Sequence, residues 1–282
     1  MSESLATTES TQSRRPDHLS QFRGIRAIEN AARLLGLEPR RGLRNLSRLS
    51  WFARQRREYL RLAERSGGEF PVARLYPCLD DIDDDAGTAK GHYFHQDLHV
   101  ARKIFRRSPR RHVDVGSRID GFVAHVASFR DIEVFDIRSV PSLPGITFVK
   151  MDLINDAPPK DYADSVSCLH ALEHFGLGRY GDPLDYYGHE KGLANLAHIL
   201  EPGGVLYLST PMGPQRTEFN AHRVLSPRYV LDLTARHSLS PIGFSYVDDL
   251  GDLHSEVEMT EDNLANNFGC VYGCGIYEFQ KS

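Results

Sequence analysis

Residues 111–122 read RHVDVGSRIDGF. HVDV alternates as a strand does, Gly116 permits a tight turn, and the apolar residues that follow have helical spacing. A strand, a glycine turn and a helix together form the unit in which a parallel sheet receives a nucleotide-like cofactor. The turn is unusual. Arg118 and Asp120 stand where glycine would be comfortable.

Downstream the pattern is regular. IEVFDI, ITFVKMD, DSVSCL and GGVLYLSTP read as further strands. DGFVAHVASF, HALEHF, KGLANLAHIL and SPRYVLDLTARH read as helices, the last with Ser226 as N-cap and Pro227 at its first position. PIGFSYVDDL and CVYGCGIYEFQK supply two final strands, which can pair as an antiparallel hairpin with a long loop at 251–268. This alternation predicts an α/β fold: a Rossmann-like, seven-stranded, mostly parallel sheet with helices on both faces, plus an N-terminal helical extension.

Three segments follow from this reading. Residues 1–20 are polar and expected to be disordered. Residues 21–110 form an arginine-rich helical extension, with helical spacing at 21–37 and 42–65 and a third helix, YFHQDLHVARKIFRR, closed by Pro109. Residues 111–282 form the cofactor domain.

The net charge of −4 conceals an asymmetry. Residues 1–66 hold 14 arginines, no lysine and 7 acids, giving +7, so the remainder carries −11. Residues 21–66 therefore suit an anionic surface contact, such as peripheral attachment at a membrane, or attraction to the acidic remainder of the chain. Nucleic acid is disfavoured, because no aromatic platform is interleaved with the arginines. No apolar run reaches the ~18 residues of a membrane helix, and the first 20 residues lack a signal-peptide core, so a cytoplasmic location is expected. Four cysteines are few for 282 residues. Cys270 and Cys274 read as same-face strand residues too far apart to bond each other, and reduced core cysteines are expected. The acidic run LDDIDDD lacks the glycine and closing glutamate of a calcium loop and reads as solvated.

Asp136 ends the second strand, 20 residues beyond Gly116. A carboxylate there can accept both hydroxyls of an adenosine ribose. A dinucleotide would need more glycines and no negative charge beside its pyrophosphate, which Asp120 disfavours. S-adenosylmethionine has no phosphate and carries a sulfonium and an ammonium, which Asp114 and Asp120 suit. The loop chemistry therefore favours the methyl donor over NAD.

The ordered set VDVGSRIDGF, VFDI, FVKMDLIND, ADSVSCLHALEHF and LEPGGVLYLSTP, within residues 111–280, resembles the class I S-adenosylmethionine-dependent methyltransferases. The resemblance implies that Asp114 and Gly116 hold the methionine part of the cofactor and Asp136 the ribose. It implies that Asp152 holds the adenine amino group, with Met151 and Leu153 against the ring. Ser117, Arg118, Asp120 and Gly121 complete the loop. The sequence departs from the family at Arg118 and Asp120, which displace the second glycine to Gly121, and Arg118 is placed to pair with the methionine carboxylate. Within the superfamily the chain looks closest to a poorly characterised bacterial group found near polysaccharide genes. That likeness implies a small-molecule or glycan acceptor and O-methylation of a saccharide or glycan-precursor hydroxyl.

A hydroxyl acceptor requires removal of a proton, and histidine titrates near neutral pH. His170, Glu173 and His174 follow the fourth strand; four apart, the two histidines share a face if the segment is helical. His222 lies in EFNAHRVLSP after the fifth strand. His174 or His222 is the expected base, with Glu173 orienting a histidine. No metal is expected, since a zincin pair needs glutamate directly after its first histidine and Ala171 stands there. Tyr93 and Gln96, in YFHQD, are expected to close over the methionine end. The tyrosine-rich loop GRYGDPLDYYGHEKG suits sugar stacking and suits a hydrogen-bonded surface loop equally. Two rival readings are a non-catalytic cofactor-binding protein of the same fold and an RNA methyltransferase. A homo-oligomer is left open, because interface and core stripes look alike in sequence.

Overall fold

The computed structural model describes residues 36, 38–83 and 87–282. The tail expected at 1–20 and the helix expected from residue 21 lie outside the described residues, apart from a turn at Gly36. The chain divides into two compact units, residues 1–87 and 88–282.

The described part of the first unit is built on one helix, α1 (Pro39–Arg65). Its arginines engage the acidic run: Arg41 and Arg44 pair with Asp80 at 2.6 and 2.8 Å, and Arg48 pairs with Asp83 and donates to the Leu79 carbonyl at 2.6 Å. Hydrogen bonds from Arg44 and Arg41 pull the Asp80 carboxyl down to about 2. The acidic run is thus the internal counter-charge of part of the basic helix. No helix among the described residues is long and apolar enough to cross a membrane.

The second unit carries the sheet, and it begins earlier than residue 111. Helix α2 (His92–Arg107), expected in the extension, packs here: Val100, Ala101 and Ile104 are buried with Phe122, Val123 and Val126. Strands β1 (His112–Val115), β2 (Ile132–Asp136), β3 (Ile146–Lys150), β4 (Ala163–Leu169) and β5 (Leu200–Met212) are parallel. Strands β6 (Arg216–Glu218) and β7 (His222–Val224) form a separate hairpin. Strands β8 (Leu239–Val247), β9 (Leu253–His254) and β10 (Gly273–Lys281) complete the main sheet in the order β3-β2-β1-β4-β5-β10-β8-β9. The expected hairpin forms, with β10 antiparallel to both β5 and β8. The two-residue β9 adds an eighth strand at the edge.

Both faces of the sheet are covered, which is why β5 reads as an uninterrupted apolar run. Leu206 and Leu208 enter one core with residues of α4 (Gly188–Ile199) and α5 (Pro227–Ala235). Val205 and Tyr207 enter the other core with α2 and the segment after β1. Ser226 caps α5 as expected, accepting from the Tyr229 amide. The helix expected after β1 opens as a π-turn, Ile119–Val123, before α3 (Ala124–Ala127). The segment HALEHF is not a helix. It holds a single 3-10 turn, Leu172–His174, and His170 lies outside it at φ 50°. Cys270 precedes β10, so Cys274 alone of the cysteine pair sits in a strand; both are free thiols. A short helix, α6 (Glu261–Ala265), lies in the loop between β8 and β10.

Leu208 is fully buried on the central strand β5. Leu208→Ala is expected to lower unfolding free energy by about 2–5 kcal/mol, read as a lower urea midpoint at unchanged slope.

Candidate functional site

The site grows from the C-terminal ends of β1 to β4, where the strand order reverses between β1 and β4. A cavity of about 630 Å³ opens there, within the size range of small-ligand sites. Its walls are the segments that leave β1, β2, β3 and β4, together with Tyr93 of α2 and Tyr180 and Asp182 of the tyrosine-rich loop.

The first wall is fixed by a buried polar knot. Asp114 is inaccessible, and its carboxylate accepts from the Ser117 amide (3.0 Å), the Ser117 hydroxyl (2.6 Å) and the Ser167 hydroxyl of β4 (2.6 Å). The Ser117 oxygen in turn accepts from the Leu169 amide at 3.1 Å. Burial pushes the Asp114 carboxyl up to about 6, against the pull of these donors. Because Ser167 gives its proton to Asp114, its oxygen accepts from His112 Nε2 (3.1 Å), leaving His112 Nδ1 to accept from Ser165 (2.8 Å). Burial holds His112 neutral, at about 3. Asp114 therefore lies beneath the cavity floor and shapes the loop; it does not line the cavity. Gly116, at φ 71°, forms the floor itself, and a Cβ there would come within 3.0 Å of the Ala171 Cβ.

Arg118 and Asp120 both line the cavity and are bound to each other, Nε to Oδ1 at 3.1 Å and Nη2 to Oδ2 at 2.8 Å. The Arg118 guanidinium also lies 5.1 Å from the Tyr93 ring centre. Arg118 thus neutralises the aspartate expected to face the cofactor's cationic groups. Gly121 and Gln96 lie outside the cavity wall. A Cβ at Gly121 would strike Asp97 Oδ2 at 2.4 Å, so that glycine serves the packing of α2 against the π-turn. Gln96 is buried and accepts from Ser209 at 2.5 Å.

Asp136 ends β2 and lines the cavity as expected. Its two oxygens are engaged by Arg138, through the backbone amide (2.8 Å), Nε (2.9 Å) and Nη2 (2.7 Å). Arg138 in turn lies 4.8 Å from the Tyr180 ring centre. Met151, Asp152 and Leu153 line the next wall. Asp152 accepts from the Ile154 amide and the Asn155 side chain, at 2.9 and 2.7 Å, which fixes the turn after β3. Arg138 carried no sequence signal beyond its place two residues after a strand-ending aspartate.

The histidines meet, although not on a helix. Glu173 is buried, and its Oε1 binds His170 Nδ1 at 2.8 Å and stands 3.7 Å from His174 Nε2. Burial opposes protonation of His170, yet Cys274 and Glu173 outweigh it and raise this imidazole well above its ordinary value. His174 Nδ1 donates to the Ala221 carbonyl at 2.7 Å, which leaves Nε2 as the lone-pair nitrogen; burial lowers its pKa. His170 and His174 line the cavity. Glu173 and His222 stand behind it, the His222 ring 6.4 Å from that of His174 and 5.3 Å from Tyr272. In the tyrosine-rich loop, Asp182 accepts from the amides of Gly176, Gly178 and Tyr180, so its carboxylate holds the loop. Tyr180, Tyr186 and Tyr187 are exposed.

A family model described as "Caenorhabditis protein of unknown function, DUF268" matches residues 146–267, from β3 to the loop after α6. No curated protein matches. Among solved structures, the chain is similar to the N-methyltransferase NodS from Bradyrhizobium japonicum WM9 in complex with S-adenosylhomocysteine, at 12% identity and a TM-score of 0.45 over 73% of this chain and 93% of that one. It is similar to the 1,6-didemethyltoxoflavin-N1-methyltransferase of Burkholderia thailandensis, at 14% identity and 0.46 over 83% and 90%. It is also similar to a protein from Galdieria sulphuraria described as a sarcosine dimethylglycine methyltransferase, at 14% identity and 0.48 over 78% and 97%.

Burial pushes the Asp97 carboxyl up to about 6, although Gln96 donates to it at 3.1 Å. Its folded pKa exceeds the unfolded value, so its contribution favours the fold below about pH 4 and is lost as pH rises towards about 6. Asp97→Asn removes the charge, and is expected to raise stability by about 3 kcal/mol near pH 7.5 and change it little near pH 4. Urea denaturation at the two pH values measures the difference.

Proposed function

We propose that the chain is an S-adenosylmethionine-dependent methyltransferase acting on a hydroxyl of a saccharide or glycan precursor. The observation that carries the reading is the cavity at the β1–β4 reversal. It joins the Gly116 floor, the Asp136 carboxylate and the Met151–Asp152–Leu153 wall in one concave surface. The Gly116 floor leaves room where a side chain would collide with Ala171. Phe135, Met151 and Leu153 offer apolar contact for a base, and Asp136 stands at ribose position. A pyrophosphate is disfavoured, because Asp120 lies at the start of the π-turn where a phosphate would need bare backbone amides.

The cofactor, when bound, supplies an electrophilic methyl group on a sulfonium. The chain's own task is to hold the acceptor in line and accept its proton. His174 lines the cavity with Nε2 as its lone-pair nitrogen, and Glu173, 3.7 Å from that nitrogen, would stabilise the imidazolium that proton transfer creates. Glu173 also anchors His170, so one buried carboxylate serves both rings. His222 supports His174 from behind through ring contact. The exposed tyrosines of the loop at 178–187 are suited to stacking on sugar rings. The glycan assignment rests on these rings and on the sequence's likeness to a group found near polysaccharide genes.

The rival is a protein of the same fold without catalysis, and the specific observation in its favour is Arg138. It engages both Asp136 oxygens, the atoms a ribose would need. Calorimetric titration with S-adenosylhomocysteine separates the readings. Micromolar binding is expected, lost in Asp136→Ala and retained or tightened in Arg138→Ala; no binding to either wild type or Arg138→Ala rejects the proposal. For catalysis, His174→Gln is expected to keep the ligand affinity within about threefold while lowering turnover on a saccharide acceptor about 10²–10⁴-fold. Unchanged turnover removes His174 from the base role.

A further inference from the structure

At His170 three chemically matched groups converge. His92 begins α2, His170 follows β4 and Cys274 lies in β10. One ligand atom of each lies within 4.8 Å of the other two. We propose that His92, His170 and Cys274 form a binding site for a zinc-like divalent cation.

The strongest observation is His170. Its side chain is only 5% exposed, and its Nε2 is buried with no hydrogen-bond partner, while Nδ1 is committed to Glu173 at 2.8 Å. A histidine that gives its Nδ1 proton to a buried carboxylate presents Nε2 as an oriented ligand, the arrangement found behind metal-bound histidines. The residue is held there at φ 50°, outside the usual range for a residue with a side chain. The second observation is geometric. The His92 and His170 rings are stacked, and their centres are 5.3 Å apart. Two imidazoles on one tetrahedral zinc have centres about 5 Å apart, and their ligand atoms stand about 3–4 Å from one another. Closing the three atoms from their present limit of 4.8 Å needs movement of about 1–2 Å and rotation of one of the two rings, within side-chain reach.

The third observation is the donor set. Cys274 is fully buried, so its thiol is not placed to attack a substrate from solution. Two imidazoles and a thiolate form a borderline-soft set, which suits zinc and disfavours magnesium or calcium. Because His170 also lines the cavity, the ion would sit at the cavity's edge with a fourth position for an oxygen ligand. The site stands independently of the methyltransferase reading. A proton on His170 Nε2 is the rival occupant.

The test uses the full chain, stripped with chelator and titrated with cobalt(II), then with zinc. One equivalent of cobalt is expected to give a thiolate-to-cobalt charge-transfer band and tetrahedral d–d bands, both displaced by zinc. Zinc is also expected to raise the melting temperature of the stripped chain. Cys274→Ser is expected to abolish the charge-transfer band, and His92→Ala to weaken cobalt binding about tenfold or more. Circular dichroism of the stripped variants establishes that they are folded, and His92, at a helix start and partly exposed, provides the variant least tied to the core. Absence of the band in wild type, or a band that survives Cys274→Ser, overturns the proposal and leaves the proton as the occupant. Because neither readout involves turnover or S-adenosylhomocysteine, failure here leaves the methyltransferase reading untouched, and the converse also holds.

Discussion

The buried carboxylate of Asp114 is the constraint on which the site depends. It ties β1, the loop that follows β1 and the neighbouring strand β4 into one unit through Ser117 and Ser167. A parallel sheet opens a crevice where its strand order reverses, but an open crevice does not hold a loop in shape. Here the shape comes from polar groups with their partners inside the protein, where a buried donor or acceptor left unpaired is costly. His112 and Ser165 extend the same seam along β1 and β4. Gly116 can then take its positive φ against Ala171, and the cavity floor is set before any ligand arrives.

Charge is managed locally around that floor. Arg118 is matched to Asp120 and Arg138 to Asp136, so the cavity rim carries paired ions instead of a one-signed field. The two pairs differ. Arg118 and Asp120 are both well exposed and exchange readily with water, and such pairs contribute little to stability. Asp136 is 8% exposed, and its partner Arg138 is half exposed. A ribose bound at Asp136 would have to displace the arginine side chain, which can swing towards the Tyr180 ring it already overlies. The first unit follows the same rule, with Asp80 and Asp83 neutralising arginines of α1.

Much of the fold was legible in the sequence, because strand and helix periods reflect burial directly. Val205–Leu208 alternate between two cores and had to read as a central strand. Ser226 and Pro227 announced α5 by cap chemistry. Gly116 and Asp136 were singled out by their places at strand ends and Asp152 by the family resemblance, and the topology brings all three to one cavity. What remained hidden was tertiary. HALEHF has helical composition, but positive φ at His170 breaks it, and Glu173 rather than a shared helix face unites the two histidines. His92 and Cys274 stand 182 residues apart in sequence and meet only because β10 inserts between β5 and β8 beside α2. The start of the sheet-bearing unit at Thr88 was hidden for the same reason, since α2 reads as one more basic helix until its apolar face is seen against β-sheet residues.

Everything proposed for this chain turns on whether the cavity at the β1–β4 reversal receives an adenosine-containing methyl donor. The most direct measurement is a crystal structure of the chain soaked with S-adenosylhomocysteine. Ligand density is expected in the cavity, with the ribose on Asp136, the base between Phe135, Met151 and Leu153, and the Arg138 side chain moved off the carboxylate. An intact Asp136–Arg138 pair with the cavity free of ligand at saturating concentration, or ligand bound elsewhere, would contradict it.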